Sequence, residues 1–127
     1  MNTAVIALGS NIDPEHNIRQ ALTLIAKKFR LVEESEFVQT KPLGFTDQAD
    51  FINGSVLMET ELGQEDLKTA LKNMEQTLGR TKSPIKYGPR TIDLDIVVFN
   101  GQVVDNDFYE RDFVRSAVLE LLPDLEY

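Results

Sequence analysis

Residues 88–96, Gly-Pro-Arg-Thr-Ile-Asp-Leu-Asp-Ile, constrain the fold of this chain more than any other stretch. A Gly-Pro turn gives way to an apolar, β-branched run, which reads as a strand entered from a loop. Strand side chains alternate faces, so Asp93 and Asp95 point one way and Ile92, Leu94 and Ile96 the other. The apolar triplet needs a core on its side. The two Asp Cα atoms should lie about 6.6 Å apart. Like charges side by side on one strand face are unfavourable unless a cation or water takes them up. Carboxylates so placed can hold one or two Mg²⁺ ions, with phosphate oxygens completing the octahedra. Arg90 enters just before them, where a planar guanidinium can fork onto a phosphate. A bare Asp-x-Asp is more often a solvated strand edge; the flanking residues give this one its weight.

The rest of the chain supplies partners for that strand. Ala4 to Leu8 is a short apolar run ending at Gly9-Ser10-Asn11, which reads as a buried strand. Asp13-Pro14 reads as N-cap and first helical residue, followed by Ile18, Leu22, Ile25 and Phe29 at helical spacing. Leu31 to Val38 is a weakly patterned strand, and 41–50 is loop. Phe51 to Thr60 alternates, with Ile52, Val56 and Met58 on one face and Phe51, Asn53 and Leu57 on the other. A second helix spans about Gln64 to Leu78, with Leu67, Leu71, Met74 and Leu78 as its apolar stripe and Gly79 past its end. The Asp93 strand reaches Phe99, and Asn100-Gly101 signals a hairpin into residues 102–104. Val114, Ala117, Val118 and Leu121 suggest a last short helix that stops near Pro123. The order predicts an α+β fold: a ferredoxin-like β-α-β-β-α-β core with a mainly antiparallel sheet, an appended hairpin strand and a C-terminal helix.

With 127 residues, 42% of them hydrophobic, one domain over 1–127 with a real core is expected. The net charge of −8 argues against a broad nucleic-acid footprint. Cysteine is absent from the sequence, which excludes disulfide and thiol chemistry. There is no apolar run long enough to span a membrane. Residues 1–4 lack the features of a signal peptide, so a cytoplasmic location is expected.

Against that acidic background, Arg80, Lys82, Lys86 and Arg90 fall within eleven residues beside the Asp pair. They are either an anion site or a solvated basic loop. Neither Gly-x-x-x-x-Gly-Lys-Ser/Thr nor Gly-x-Gly-x-x-Gly occurs, so phosphates would be held by basic side chains and metal. Phe51 and Asn53 share a strand face, where a ring and an amide can stack on and hydrogen-bond a flat heterocycle. Equally, Phe51 can be core and Asn53 a strand-end amide. Gly9-Ser10-Asn11 is either a ligand-lining turn or only a turn. His16, the sole histidine, reads as a surface residue of the first helical turn.

Together, Ala7–Asn11, Pro42-Leu43-Gly44, Asp50–Asn53, Glu75 with Gly79-Arg80, and Tyr87–Phe99 resemble one family, the 6-hydroxymethyl-7,8-dihydropterin pyrophosphokinases of folate biosynthesis. Order and spacing agree over roughly residues 4–99, and the 88–96 stretch is highly specific. The resemblance implies transfer of pyrophosphate from ATP to the pterin hydroxymethyl group, with release of AMP. It implies two Mg²⁺ ions on Asp93 and Asp95, with Arg90 and Lys82 completing the catalytic set. Thr40, Pro42, Leu43, Phe51, Asn53 and Phe113 match pterin-binding positions; Glu75, Arg80, Lys82, Arg90, Ile96 and Arg111 match the nucleotide side. Glu75 is expected to support the site rather than ligate the metal. The loops around 42–50 and 80–87 match segments that close over substrates. The implied partners are small molecules, ATP and the pterin; no nucleic-acid or membrane partner is expected from the charge and composition, and a monomer is expected.

Two departures qualify the match. Family members carry a Pro-His pair after the Asp strand, whereas 100–110 here holds no histidine. Arg111 and Phe113 align only across a deletion of about seven residues. The pterin half and metal pair are intact and the nucleotide half is thinned. The alternative implied is a catalytically weak paralogue that binds pterin or nucleotide as a regulatory module.

Overall fold

The computed structural model describes residues 1–42, 44, 47–79 and 90–127. Along the chain run β1 (Asn2–Ser10), α1 (Pro14–Lys28), β2 (Arg30–Glu34), β3 (Val38–Thr40) and β4 (Phe51–Thr60). They are followed by α2 (Gln64–Thr77), β5 (Asp93–Phe99), β6 (Gln102–Val103), α3 (Asp107–Glu110) and α4 (Asp112–Leu121). The strands form one antiparallel sheet in the order β2-β4-β1-β5-β6, with β3 also paired to β4. The expected α+β, ferredoxin-like arrangement is what the chain adopts.

Alternation along β1 builds two cores. Ala4, Ile6 and Leu8 face α1 and α2, where they pack with Ile18, Ile25, Leu67, Leu71, Met74, Ile92 and Leu94. Val5 faces the other way, with Val97, Val98, Phe108, Val114 and Val118 under α4. Each fully buried Leu, Ile or Phe contributes roughly 1.5–3 kcal/mol. A register shift opposite Val5 and Ile6 adds one residue to β5. This bulge explains why the consecutive Val97 and Val98 both enter the α4 core while Phe99 packs on the opposite face.

Two expectations need correction and one element is additional. The strand read over 31–38 is two strands, β2 and β3. Between them Ser35 bonds Ser55 with its own backbone N–H (2.8 Å) and accepts the Ser55 N–H on its side-chain Oγ (2.8 Å). Asp13 does precede α1, but in a left-handed conformation (φ 42°) and without a side-chain cap bond; its carbonyl accepts the Asn17 N–H at 3.0 Å. The short helix α3 was not foreseen. It starts where the Asp105 carboxylate accepts the Asp107 N–H at 2.9 Å, and the fully buried Phe108 anchors it. The Asn100-Gly101 turn forms as expected, with φ of 49° and 80°.

Candidate active site

The sheet face that carries α4 extends beyond that helix, and the candidate residues gather at that end of it. Pairing places Asn53, Gly9 and Asp93 in one row across β4, β1 and β5, and Ser55, Ala7 and Asp95 in the next. Directly opposed residues share a face. The middle strand contributes only Gly9 and Ala7, which leaves a trough between the amide side and the carboxylate side. A Cβ at Gly9 would stand 2.5 Å from Asn53 Oδ1 and displace that amide. Asn53 Nδ2 donates to Thr40 Oγ1 at 2.6 Å, which fixes the amide's orientation. Phe51 lies on the same face of β4 and pairs with Thr40. Phe113, on the first turn of α4, lines a small cavity together with Ala7, Asn53 and Ser55. The structure thus brings Thr40, Phe51, Asn53 and Phe113 to one end of one face.

Asn11 ties this end together. It is only 7% exposed. Its Nδ2 donates to Gln48 Oε1 (2.7 Å) and to the Ala49 carbonyl (2.9 Å). Its Oδ1 accepts the Arg90 N–H (2.8 Å), and its own N–H donates to the Arg90 carbonyl (3.1 Å). One residue therefore joins the end of β1, the segment before β4 and the entry to β5. The Gly9-Ser10-Asn11 turn, which sequence left open, is a clamp on two flanks of the site.

Asp93 and Asp95 stand on the trough side of β5, as alternation requires. Burial and the neighbouring Asp93 carboxylate push the Asp95 carboxyl up to about 7, against the opposing pull of Lys72. Lys72 Nζ lies 3.1 Å from Asp95 Oδ1, 3.1 Å from Glu75 Oε2 and 3.1 Å from the Leu94 carbonyl. Burial opposes the ammonium charge, but Asp95 and Glu75 outweigh it and hold Lys72 above the ordinary lysine range. Glu75 is 4% exposed and accepts the Leu94 N–H at 2.7 Å. Since β6 pairs only with Val98 and Phe99, Leu94 sits on an open stretch of sheet edge, and α2 side chains satisfy its backbone. Glu75 is thus a support for the Asp strand.

On the nucleotide side, Ile96 and Asp95 line a cavity of about 170 Å³ with Lys68, Lys72 and Asp105. Ile96 also packs against the α1/α2 core. Arg111 stands between α3 and α4, 3.6 Å from Asp107. Burial raises the Asp107 carboxyl, Arg111 lowers it, and Asp93 is among the carboxylates that raise it further. Acidic side chains therefore flank the pair from α3, where sequence foresaw only the lack of a histidine. Leu43, Arg80, Lys82 and Lys86 lie outside the described residues. His16 is exposed on α1, as expected.

Of the residues that matter here, the sequence reading does not mark out Lys72, and marks Asn11 only as part of a turn that could line a ligand. Lys72 carried one usable signal, a cation three positions before Glu75 on a helix. Glu75 itself lies four residues after Leu71 and three before Leu78, on the apolar stripe, where an acid needs partners.

The family model of the 7,8-dihydro-6-hydroxymethylpterin-pyrophosphokinases matches residues 5–123. The chain belongs to that family. The match runs past the Asp strand through α4, so Arg111 and Phe113 fall within it, beyond the 4–99 span on which the resemblance was read. The chain is 37% identical to the 2-amino-4-hydroxy-6-hydroxymethyldihydropteridine pyrophosphokinase of Bacillus subtilis, over 98% of this chain and 81% of that protein. It is 36% identical to the enzyme of the same name from Haemophilus influenzae, over 98% of this chain and 84% of that one. It is 40% identical to a mitochondrial folate synthesis bifunctional protein of Pisum sativum, over 93% of this chain but only 25% of that protein. Membership makes the chain a pyrophosphokinase, an enzyme of the diphosphotransferase class. Among the described residues, no helix is long and apolar enough to cross a membrane.

The electrostatics of the pair give a pH signature. Below about pH 4, Asp95 is protonated in folded and unfolded chains alike. Above about pH 7 it is ionised in both, and only the folded chain bears the burial and the repulsion from Asp93. Stability without divalent metal should therefore fall as pH rises from about 4 to about 7. Urea midpoints in a chelator should show the fall, and Asp95→Asn should remove most of it, leaving the smaller part from Asp107. A profile unchanged by Asp95→Asn would disprove the raised pKa.

Proposed function

We propose that this chain transfers the terminal pyrophosphoryl group of ATP to 6-hydroxymethyl-7,8-dihydropterin and releases AMP. The observation that carries the reading is the row Asn53–Gly9–Asp93, which sets an aromatic-flanked amide and a carboxylate pair across one trough. In that assignment Phe51 and Phe113 stack on the two faces of the pterin, Asn53 reads its edge, and Thr40 holds the Asn53 amide. The hydroxymethyl oxygen attacks the β-phosphorus, the bridge from β-phosphorus to the α-phosphate breaks, AMP leaves, and the hydroxyl proton passes to solvent. A protein nucleophile is not needed, so the chain's task is in-line positioning and charge neutralisation.

The Asp pair fits a hard divalent cation. Its donors are oxygens only, and burial together with the neighbouring Asp93 carboxylate pushes Asp95 up to about 7 against the pull of Lys72. Mg²⁺ is commonly held by one or two carboxylates, with substrate phosphates completing its shell. Asp93 and Asp95 would hold two such ions, which neutralise polyphosphate charge when bound. Arg90 would fork onto a phosphate at the β5 entry, and Lys82, Arg80 and Arg111 would add cations on the nucleotide side. The expected closing segments fall wholly (80–87) or partly (42–50) outside the described residues.

The acidic flank from Asp105 and Asp107 favours a second reading, a pterin-binding paralogue with slow turnover. Both readings predict the same pterin slot. Phe51→Ala and Phe113→Ala should each weaken 6-hydroxymethyldihydropterin binding by about tenfold while changing nucleotide affinity little, since stacking contributes roughly 0.5–1.5 kcal/mol beyond buried area. Calorimetry with each ligand separately checks this. Equal losses for pterin and nucleotide would reject the slot.

A further inference from the structure

Lys72 has no part in the chemistry proposed above, yet it touches the metal pair. Its ammonium meets three acceptors, Asp95 Oδ1, Glu75 Oε2 and the Leu94 carbonyl, each at 3.1 Å. An –NH₃⁺ has three donors, so all are used. The contact with Glu75 and Leu94 would by itself fasten α2 to the β5 edge. The contact with Asp95 does something else: it sets a positive charge against an oxygen that a divalent cation would also seek. The side chain is 39% exposed and borders the 170 Å³ cavity beside Asp95 and Ile96, so its flexible stem has room to turn.

We propose that Lys72 is the built-in counter-ion of the Asp93/Asp95 pair. It lowers the affinity of the pair for free divalent cations, and it turns from Asp95 toward phosphate oxygens when a polyphosphate arrives. Metal uptake and nucleotide binding are thereby coupled, each favouring the other by the same factor. Lys72 acts as a positioning residue through Asp95, and the inference rests on reading the pair as a Mg²⁺ site. The sign follows from charge: a cation at hydrogen-bond distance from a ligand oxygen repels a second, doubly charged cation there.

The test uses the full chain with Mn²⁺ as probe, read by electron paramagnetic resonance at pH 8. Lys72→Gln keeps a donor for Glu75 and Leu94 but removes the charge. It should bind Mn²⁺ about tenfold more tightly than the parent without nucleotide. Lys72→Arg keeps the charge and should bind Mn²⁺ as the parent does. An ATP analogue with a methylene between the α- and β-phosphorus should raise Mn²⁺ affinity about tenfold more in the parent than in Lys72→Gln. A purely structural lysine would not tighten metal binding when lost. Equal or weaker Mn²⁺ binding by Lys72→Gln overturns the inference, and loss of binding in Asp95→Asn within the same series leaves the metal site standing. Mn²⁺ binding that Asp95→Asn does not alter overturns both.

Discussion

Asp95→Ala should lower pyrophosphoryl transfer at least about a thousandfold while the fold survives. Asp95 sits on the trough side of β5, away from the Ile92 and Leu94 side chains that anchor the strand, so the substitution removes a ligand and not core. Loss of a metal contact to a polyphosphate removes several kcal/mol of transition-state stabilisation, and each ~1.4 kcal/mol is tenfold in rate. The metal-free Asp95→Ala chain should also be more stable than the parent above pH 7, because the cost of burying the Asp95 charge and its repulsion with Asp93 are both gone. Asp93→Ala should be nearly as inactive. Near-parental turnover by either variant at saturating Mg²⁺ would remove the pair from the mechanism.

The second large effect is on stability, at Glu75. Its carboxylate is buried, accepts the Leu94 N–H at 2.7 Å and pairs with Lys72 at 3.1 Å. Glu75→Ala strands a backbone donor at the sheet edge and leaves Lys72 with one carboxylate fewer. The expected loss is roughly 2–4 kcal/mol, on the order of 10 °C in Tm for a domain of this size. Glu75→Gln keeps an acceptor for Leu94 and should lose less than half as much. A Tm for Glu75→Ala within about 2 °C of the parent would show that the Leu94 edge is satisfied without it.

How much of this was legible in the chain follows from how local each signal is. The ends of β4 are legible because the apolar stretch from Phe51 to Thr60 is bounded by loop residues before it and Glu61-Leu62-Gly63 after it, and the faces of Asp93 and Asp95 follow from strand alternation. The division of β2 from β3 was not readable. It depends on Ser35 bonding Ser55 of another strand, and on Phe37 seated over Gly54, where any Cβ would stand 2.5 Å from the ring. Helix α3 has four residues, too few for a helical period. The candidate site divides the same way. Phe51, Asn53, Asp93 and Asp95 announce themselves by type and spacing. Lys72 and Asn11 matter only because topology lays α2 against the open edge of β5 and brings Arg90 back to the end of β1. The acidic neighbours on α3 belong with these, since their approach to Asp93 depends on the turn after β6.

The central claim is that one trough joins a pterin slot to a pyrophosphoryl-transfer centre. Its most direct test is to incubate the chain with ATP, Mg²⁺ and 6-hydroxymethyl-7,8-dihydropterin and to quantify the nucleotide products. The account predicts AMP and pterin diphosphate in equal amounts, dependent on the pterin and lost in Asp95→Ala. Release of ADP, or no AMP above the pterin-free control, would contradict it.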